Sequence, residues 1–373
     1  MLVLEDYGWK KEINQKIAFD RFSELRNVKM FLIADRAENH YQTVKPIFTM
    51  NRRGGRTMTN PWLSVVMPCR NGERWLAEAL QSVVEQHEPG IEVVFIDGSD
   101  SEASMKIIES FAGRLALSIH RRPDLDSWIA KTGFGVQEAR ADWITMLHVD
   151  DLWLPGRGAA LRRWLAARSN AVMHLHPAYF IDGQGRRLGI WRCPLPAGEA
   201  AVPGELLLER LLVQNFIAVP ATAIRRDAFL HVGGMDESLW HTADWDLYLK
   251  LAAVGTVHYH PEPLACFRIH GNSLTMTGSR NLEDYRNQTE TVFERHIDKL
   301  TPGKERRVRR LSAASININT ALAAANVGRP DALAKALRSL LRLGPCGIQK
   351  YLYHSRIIER ALPRLRARLA RGM

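Results

Sequence analysis

From Leu63 to Leu154 the chain alternates between short apolar runs and stretches of helical spacing. Leu63 to Met67, apolar except for Ser64 and ended by Pro68, has the length and composition of a buried strand. A polar turn, Cys69-Arg-Asn-Gly-Glu73, follows, with Asn71 placed to cap a helix. Trp75, Leu76, Ala79, Leu80, Val83 and Val84 then recur at three- and four-residue spacing and give that helix one buried face. Ile91 to Ile96 is a second strand, ending at Asp97-Gly-Ser-Asp-Ser101. Ser104 to Ala112 is helical and Leu115 to Ile119 a short strand. Ser127 to Arg140 is a helix that tolerates Gly133 and Gly135, and Trp143 to Leu147 is a strand. Strands that alternate with helices predict a parallel sheet with crossover connections, hence an α/β fold.

Beyond Leu154 the pattern loosens. Ala171 to Ile181 predicts strands around His174 and His176, and Asp182-Gly-Gln-Gly185 a hairpin turn into Leu188-Gly-Ile-Trp191. Glu205 to Leu212 is helical, Ala221 to Ile224 a short strand, Asp227 to Val232 a helical turn, and Asp244 to Ala253 a helix. Val257 to Phe267 supplies two more strand pieces, broken by Pro261 and Pro263. From Leu282 the chain is helical, with an αα-hairpin pattern across Gly328-Arg-Pro330. A last helix, Gln349 to Arg371, must kink or restart at Pro363. It places Arg356, Arg360, Arg364 and Arg368 four residues apart on one face, with Ile357, Ile358, Leu362, Leu365 and Leu369 as the apolar complement. That basic stripe could lie on a membrane surface, and the apolar complement could equally pack on the body. These patterns divide the chain into an N-terminal extension (1–60), a central α/β domain (61–280) and a basic helical region (281–373). Arg52-Arg-Gly-Gly-Arg56 has the composition of a flexible link, and Met58 stands just before the first strand, so residues 1–57 are expected to lie upstream of the functional start.

One strand ends abruptly in chemistry. The run Ile144 to Leu147 stops at adjacent carboxylates, Asp150 and Asp151, and Leu152-Trp-Leu-Pro155 follows at once. In open α/β sheets, ligands bind outside the carboxyl ends of the strands. Two acids there suit Mg²⁺ or Mn²⁺ held against a phosphorylated ligand; the alternative is a carboxylate capping the helix that begins near Pro155.

Composition narrows the classes. The 373 residues are ordinary for a soluble globular protein in apolar and charged content. The apolar runs fall short of the ~20 residues that span a bilayer. Glu5, Asp6, Lys10, Lys11 and Glu12 interrupt any secretory signal pattern. Cys69, Cys193, Cys266 and Cys346 are scattered, with neither CxxC spacing nor a disulfide framework, which favours a reducing cytoplasm. The net charge is +11, yet residues 301–373 hold sixteen Lys/Arg against three acids, so the basicity belongs to the tail. Such a tail could meet anionic lipid headgroups or nucleic acid, between which charge alone does not choose, or simply form a solvated face. No aromatic-interleaved basic platform is present, and nucleic-acid binding is not expected.

Asp97, Asp100, Asp150–Asp151 and Asp244 each fall at the end of a predicted element, where each alone could be a cap or turn residue. Asp246 beside Asp244 is a first-turn acid of the kind the helix dipole favours. The sequence order is more specific. It runs Ser64-Val-Val-Met-Pro-Cys-Arg-Asn-Gly72, Ala79-Leu-Gln-Ser-Val-Val-Glu-Gln86, Val94-Phe-Ile-Asp-Gly-Ser99, Ala139-Arg-Ala-Asp-Trp-Ile144 and Leu147-His-Val-Asp-Asp-Leu-Trp-Leu-Pro155. Gly-Gly-Met-Asp-Glu (233–237) leads into Ala243-Asp-Trp-Asp-Leu-Tyr-Leu249, and Phe267-Arg-Ile-His-Gly271 closes the series. From about Leu63 to Leu274 the chain resembles the family 2 glycosyltransferases of the GT-A fold.

The resemblance implies a Rossmann-like, mainly parallel sheet flanked by helices. It implies inverting, hexosyltransferase-type transfer from a nucleotide-diphosphate sugar to an acceptor hydroxyl, in cell-surface polysaccharide or glycan assembly. The acceptor would be a glycan or a lipid-linked molecule, and the enzyme cytoplasmic, peripheral at the inner membrane face. Asp97 matches the carboxylate that holds the nucleobase; Pro68, Arg70 and Asn71 line the same pocket; Asp150 matches the last acid of the DxD metal motif; and Asp244 matches the catalytic base. Arg268 and His270 fall where the family closes the donor site, Arg268 toward the diphosphate and His270 toward the metal, an Mg²⁺ or Mn²⁺. The chain departs from the pattern in three places. His148 replaces the first DxD acid and is left to meet ribose or metal. The Asp97 loop is short, so Ser99 and Asp100 compete for its second acidic role, and Ala243 precedes the base where many members have Glu. Asp151 would then cap the next helix. A nucleotidyltransferase is the enzymatic alternative, but it would need a basic glycine-rich loop where only Arg70-Asn-Gly stands. A catalytically inactive nucleotide-sugar-binding protein is the other.

Overall fold

The structure is a computed structural model, and it describes residues 60–167, 170–271, 281–326, 328–329 and 332–369, without the side chains of 326, 368 and 369. The Arg52–Arg56 link, Met58, Pro330 and the Arg368 and Leu369 side chains lie outside the described residues.

In chain order the elements are β1 (Leu63–Cys69), α1 (Glu73–Val84), β2 (Ile91–Asp97), α2 (Ala103–Glu109), β3 (Ala116–Arg121), α3 (Trp128–Glu138) and β4 (Trp143–Met146). Then follow β5 (Leu152–Trp153), α4 (Arg157–Ala167), β6 (Ala171–Leu175), β7 (Ala178–Ile181), β8 (Arg187–Trp191) and β9 (Ala200–Val202). Next come α5 (Gly204–Val213), β10 (Thr222–Arg225), α6 (Arg226–His231), α7 (Ala243–Val254), β11 (Thr256–Tyr259) and β12 (Ala265–Arg268). The tail is helical: α8 (Leu282–His296), α9 (Pro302–Asn326), α10 (Ala332–Leu341), α11 (Gly344–Ser355) and α12 (Ile357–Leu369).

Eight strands form the main sheet in the order β3-β2-β1-β4-β10-β6-β11-β9. The β3-β2-β1-β4 half is parallel, while β10 runs antiparallel to both its neighbours and β9 to β11. β1 is continuous with α1 and β2 on one side but pairs with β4 on the other, so the strand order reverses beside β1, where ligand crevices open. The register sets Cys69, Asp97 and Arg121 in one row at that edge.

Alternation along these strands feeds two cores. Leu63, Val65, Met67, Val93 and Phe95 pack with Leu76 and Leu80 of α1, Ile108 of α2 and Trp164 of α4. Val66, Val94 and Ile96 face the other way, onto Ile129 and Val136 of α3. The tolerated Gly135 now has a reason: a Cβ there would stand 2.5 Å from Ile96 Cδ1 and 2.6 Å from Val66 Cγ1, so only glycine lets α3 lie this close to the sheet.

Three expectations are corrected. Asn71 does not cap α1, whose N-cap is Gly72; it takes a left-handed conformation (φ 52°) and reaches across to the β2 loop. Asp151 does not cap a helix either. After the acids the chain forms the two-residue strand β5, paired with β12 in a second sheet (β5-β12-β7-β8), and α4 begins only at Arg157. The C-terminal helix breaks not at Pro363, which sits inside α12, but at Arg356, the left-handed residue (φ 47°) between α11 and α12.

The tail packs onto the body. Val308 and Leu311 of α9 join the core that holds α5 and α7, and Arg307 pairs with Glu209 at 3.0 Å. Asp246 stands in the first turn of α7, as expected, and is buried between His296 of α8 (2.8 Å) and Lys250 (2.7 Å). Among the described residues no helix is long and apolar enough to cross a membrane.

Candidate active site

A cavity of about 840 Å³ opens at the carboxyl ends of β1 and β4 and extends beneath the C-terminal helices. On its sheet side the β1 turn supplies Pro68, Arg70 and Asn71 to the wall. Asn71 ties this turn to the next loop through Nδ2 to Asp100 Oδ2 (2.8 Å), while its own N–H donates to Ser99 Oγ (2.8 Å). Asp97 is fully buried behind that bridge. Its Oδ1 accepts from Ser99 N–H (3.0 Å) and Ser99 Oγ (2.5 Å), its Oδ2 is buried without a hydrogen-bond partner, and Arg121 stands 3.8 Å away.

The acids after β4 form the second wall. Asp150 Oδ2 shares a hydrogen bond of 2.8 Å with His270 Nε2. Asp151 is buried; its Oδ1 accepts the Arg268 backbone N–H at 2.9 Å, and its Oδ2 has no hydrogen-bond partner. One ligand atom from each of His148, Asp150 and Asp151 lies within 4.8 Å of the others. Burial would raise the Asp150 carboxyl, but the hydrogen bond from His270 and the adjacent imidazoles hold it below the ordinary value. Asp151 moves the other way, raised by burial and by the charge of Asp150. Burial lowers His148, so its imidazole is neutral, and its buried Nε2 lacks a partner. A neutral imidazole and two carboxylates, with orphaned buried ligand atoms among them, make a donor set that fits a divalent cation of the Mn²⁺ type.

Arg268 stands behind this group rather than in the cavity. Its Nε donates to Asp150 O (2.7 Å), Nη1 to Asp182 O (3.1 Å) and Nη2 to Glu78 Oε2 (2.8 Å). The expected donor contact is therefore corrected: its guanidinium nitrogens are directed to protein acceptors, and the residue fixes the turn that carries the acids.

Asp244 lies across the cavity, in the first turn of α7. Oδ1 accepts the Trp245 N–H (2.8 Å) and Oδ2 the Asn215 amide (3.1 Å). Burial raises its carboxyl to about 6, against the lowering effect of these two hydrogen bonds. The His148–Asp150–Asp151 group and the Asp244 carboxylate thus face one volume.

Residues 64–233 match the sequence profile of the family described as glycosyl transferase family 2. The α/β domain of this chain belongs to that family. An "uncharacterized glycosyltransferase" of Rickettsia typhi is 23% identical over 245 residues, covering 65% of this chain and 73% of the relative. S. aureus TarS 1-349, solved in complex with UDP, superposes with a TM-score of 0.52 at 15% identity, over 75% of this chain and 81% of that one; of the longer TarS chain the match spans 43%. Mannosyltransferase PcManGT of Pyrobaculum calidifontis, solved with GDP-Man and Mn²⁺, gives 0.51 at 16% identity, over 83% of this chain and 88% of that one. The likeness is one of fold, and that fold is GT-A.

Within this glycosyltransferase domain, Pro68, Arg70, Asn71, His148, Asp150, His270 and Asp244 line the common cavity. Asp97, Ser99, Asp100 and Arg268 lie outside its lining. Sequence reasoning missed Asn215, which comes from the loop after α5, and the cavity-lining Tyr285, Arg360 and Arg364 of the tail. The signal for the arginines was present as the basic stripe, but its direction was not.

Proposed function

We propose that the chain is an inverting glycosyltransferase that moves a hexosyl group from a nucleotide-diphosphate sugar to an acceptor hydroxyl in glycan assembly. The observation that carries this reading is the pairing across one cavity of the His148–Asp150–Asp151 group with Asp244. Its volume falls within the range of small-molecule sites. The donor's nucleotide would lie against Pro68, Arg70 and Asn71, and its diphosphate toward Asp150 and His270. His148, Asp150 and Asp151 would hold an Mg²⁺ or Mn²⁺, which when bound supplies Lewis-acid stabilisation of charge on a departing diphosphate.

Asp244 takes the acceptor's hydroxyl proton as that oxygen forms its bond to the anomeric carbon. The bond from that carbon to the diphosphate breaks on the opposite face, and a nucleoside diphosphate leaves. Asn215 and the Trp245 N–H orient the carboxylate for this transfer.

A place at the inner face of a membrane is supported by α10. Leu333, Leu337 and Leu341 form an exposed row on this amphipathic helix, with Lys335, Arg338 and Arg342 beside it. Anionic headgroups match that combination of apolar and basic surface.

The test is a panel of nucleotide sugars screened for thermal stabilisation with and without Mn²⁺. One nucleotide class should raise the melting temperature in the presence of metal, and Asp150→Ala should abolish the metal-dependent part. Equal stabilisation with and without Mn²⁺ in both proteins would remove the cation from the site.

A further inference from the structure

The last helix turns two of its arginines inward. Ile358, Leu362 and Leu365 of α12 are 63, 43 and 52% exposed, whereas Arg360 and Arg364, one turn apart, line the cavity that holds Asp244. The Arg360 guanidinium lies 5.9 Å over the Trp191 ring, and that of Arg364 lies 5.4 Å over Phe180. Nε and Nη1 of Arg360 are buried without a hydrogen-bond partner, and Arg364 Nη1 donates to the Arg360 carbonyl at 2.7 Å. Among the described residues no ion pair joins either guanidinium to a carboxylate. The nearby Asp284 is taken by Trp240 Nε1 at 2.6 Å.

Removing two like charges from water without a counter-ion is strongly unfavourable. Burial opposes the charge on both arginines, and for Arg364 the adjacent Arg360 charge opposes it further. A helix that turns arginines toward a cavity and leucines toward solvent keeps that arrangement because something anionic enters from outside the chain. Two planar forks one turn apart suit a phosphate, which takes paired N–H donors from each guanidinium. Both arginines line the same cavity as Asp244 and the cation group. Both act electrostatically on His241, which leads into the helix carrying Asp244. The cation group at His148, Asp150 and Asp151 comes from the β4 end instead.

We propose that Arg360 and Arg364 bind a phosphate group of the acceptor, so that the molecule presenting its hydroxyl to Asp244 is itself phosphorylated. This inference rests on the glycosyltransferase reading of the site.

The full chain, held at saturating UDP or GDP with Mn²⁺ to occupy the donor site, is titrated calorimetrically with inorganic phosphate, glycerol 3-phosphate and farnesyl phosphate. Phosphate binding is expected in the wild type and should weaken at least tenfold in R360Q/R364Q, with nucleotide affinity unchanged. Tighter binding of farnesyl phosphate than of glycerol 3-phosphate identifies a lipid phosphate; the reverse identifies a soluble or polymeric one. If the glutamine variant does not fold, R360K/R364K keeps both cations and loses the planar forks, and should weaken phosphate several-fold. Equal phosphate affinity in wild type and variants overturns the proposal. A tenfold loss of nucleotide affinity in the variants overturns it too, by assigning the arginines to the donor diphosphate. Arginine-dependent phosphate binding without any nucleotide binding by the wild type leaves the anion pair standing and removes the transferase reading beneath it.

Discussion

Asp244 is the residue through which pH acts on the proposed reaction. With its carboxyl raised to about 6, it is a competent base only above that pH, so kcat/KM should climb through pH 6 and level off beyond it. A profile flat from pH 5 to 8 would place the base elsewhere. Asp244→Asn should lower turnover by at least about 100-fold while nucleotide-sugar binding survives. The same variant reports on stability. Because the folded-state value lies above the ordinary 3.8, the ionised carboxylate costs the fold as pH rises through 6. Asp244→Asn should therefore be more stable than wild type at pH 8, by on the order of 2 kcal/mol since the carboxylate opens partly onto the cavity, and equal to it at about pH 3, below the ordinary carboxylate value. Urea melts at the two pH values measure the difference. At this scale the sequence was most informative where a motif marked the residue, as at Asp150 and Asp244. It was least so where the partner is remote. Asp151 had the local look of a cap, and only the fold brings the Arg268 N–H, 117 positions away, onto its carboxylate.

Elements were legible where periodicity extends over several turns or a full strand. The first seven, β1 to β4 with α1 to α3, fall at or near the positions their apolar spacing predicted, most plainly β1, β2 and β4, which are buried along their whole length. β5 was missed because two residues carry no period, and its pairing with β12 is set by tertiary contact alone. The two helical glycines of α3 show what periodicity cannot tell. A Cβ at Gly133 meets nothing within 4 Å, whereas one at Gly135 collides with Ile96 and Val66. Gly133→Ala should stabilise the chain by up to about 1 kcal/mol through helix propensity, and Gly135→Ala should destabilise it by about 1–3 kcal/mol despite the same gain. Matched urea denaturation of the pair separates propensity from packing. Helix α10 offers a second contrast. Replacing the exposed Leu333, Leu337 and Leu341 with Gln should reduce sedimentation with anionic vesicles and leave the melting temperature within a degree or two, since none of the three is buried. Unchanged vesicle binding would assign the contact to another surface.

At the scale of the whole molecule, the tail's charge was legible and its role was not. Sixteen Lys/Arg in the last 73 residues left a membrane-facing surface, a solvated face and packing on the body all open, because net charge is a property of composition and says nothing about which way a side chain turns. In the fold, α9 buries Val308, Leu311 and Ala314 and hydrogen-bonds Leu212 O through Ser312 Oγ (2.5 Å), and with α12 it closes one side of the cavity. Removing residues 301–373 would uncover the α5 and α7 face of the core together with that wall. The truncated chain should lose cooperative thermal unfolding, bind a hydrophobic dye, and fail to be stabilised by any nucleotide sugar. An independent anchor would give the opposite result: a soluble fragment with the wild-type melting temperature and intact nucleotide binding, released only from vesicles. The two outcomes differ because apolar burial by the tail, unlike surface charge, is shared with the body, and a shared core cannot be divided without cost to both parts.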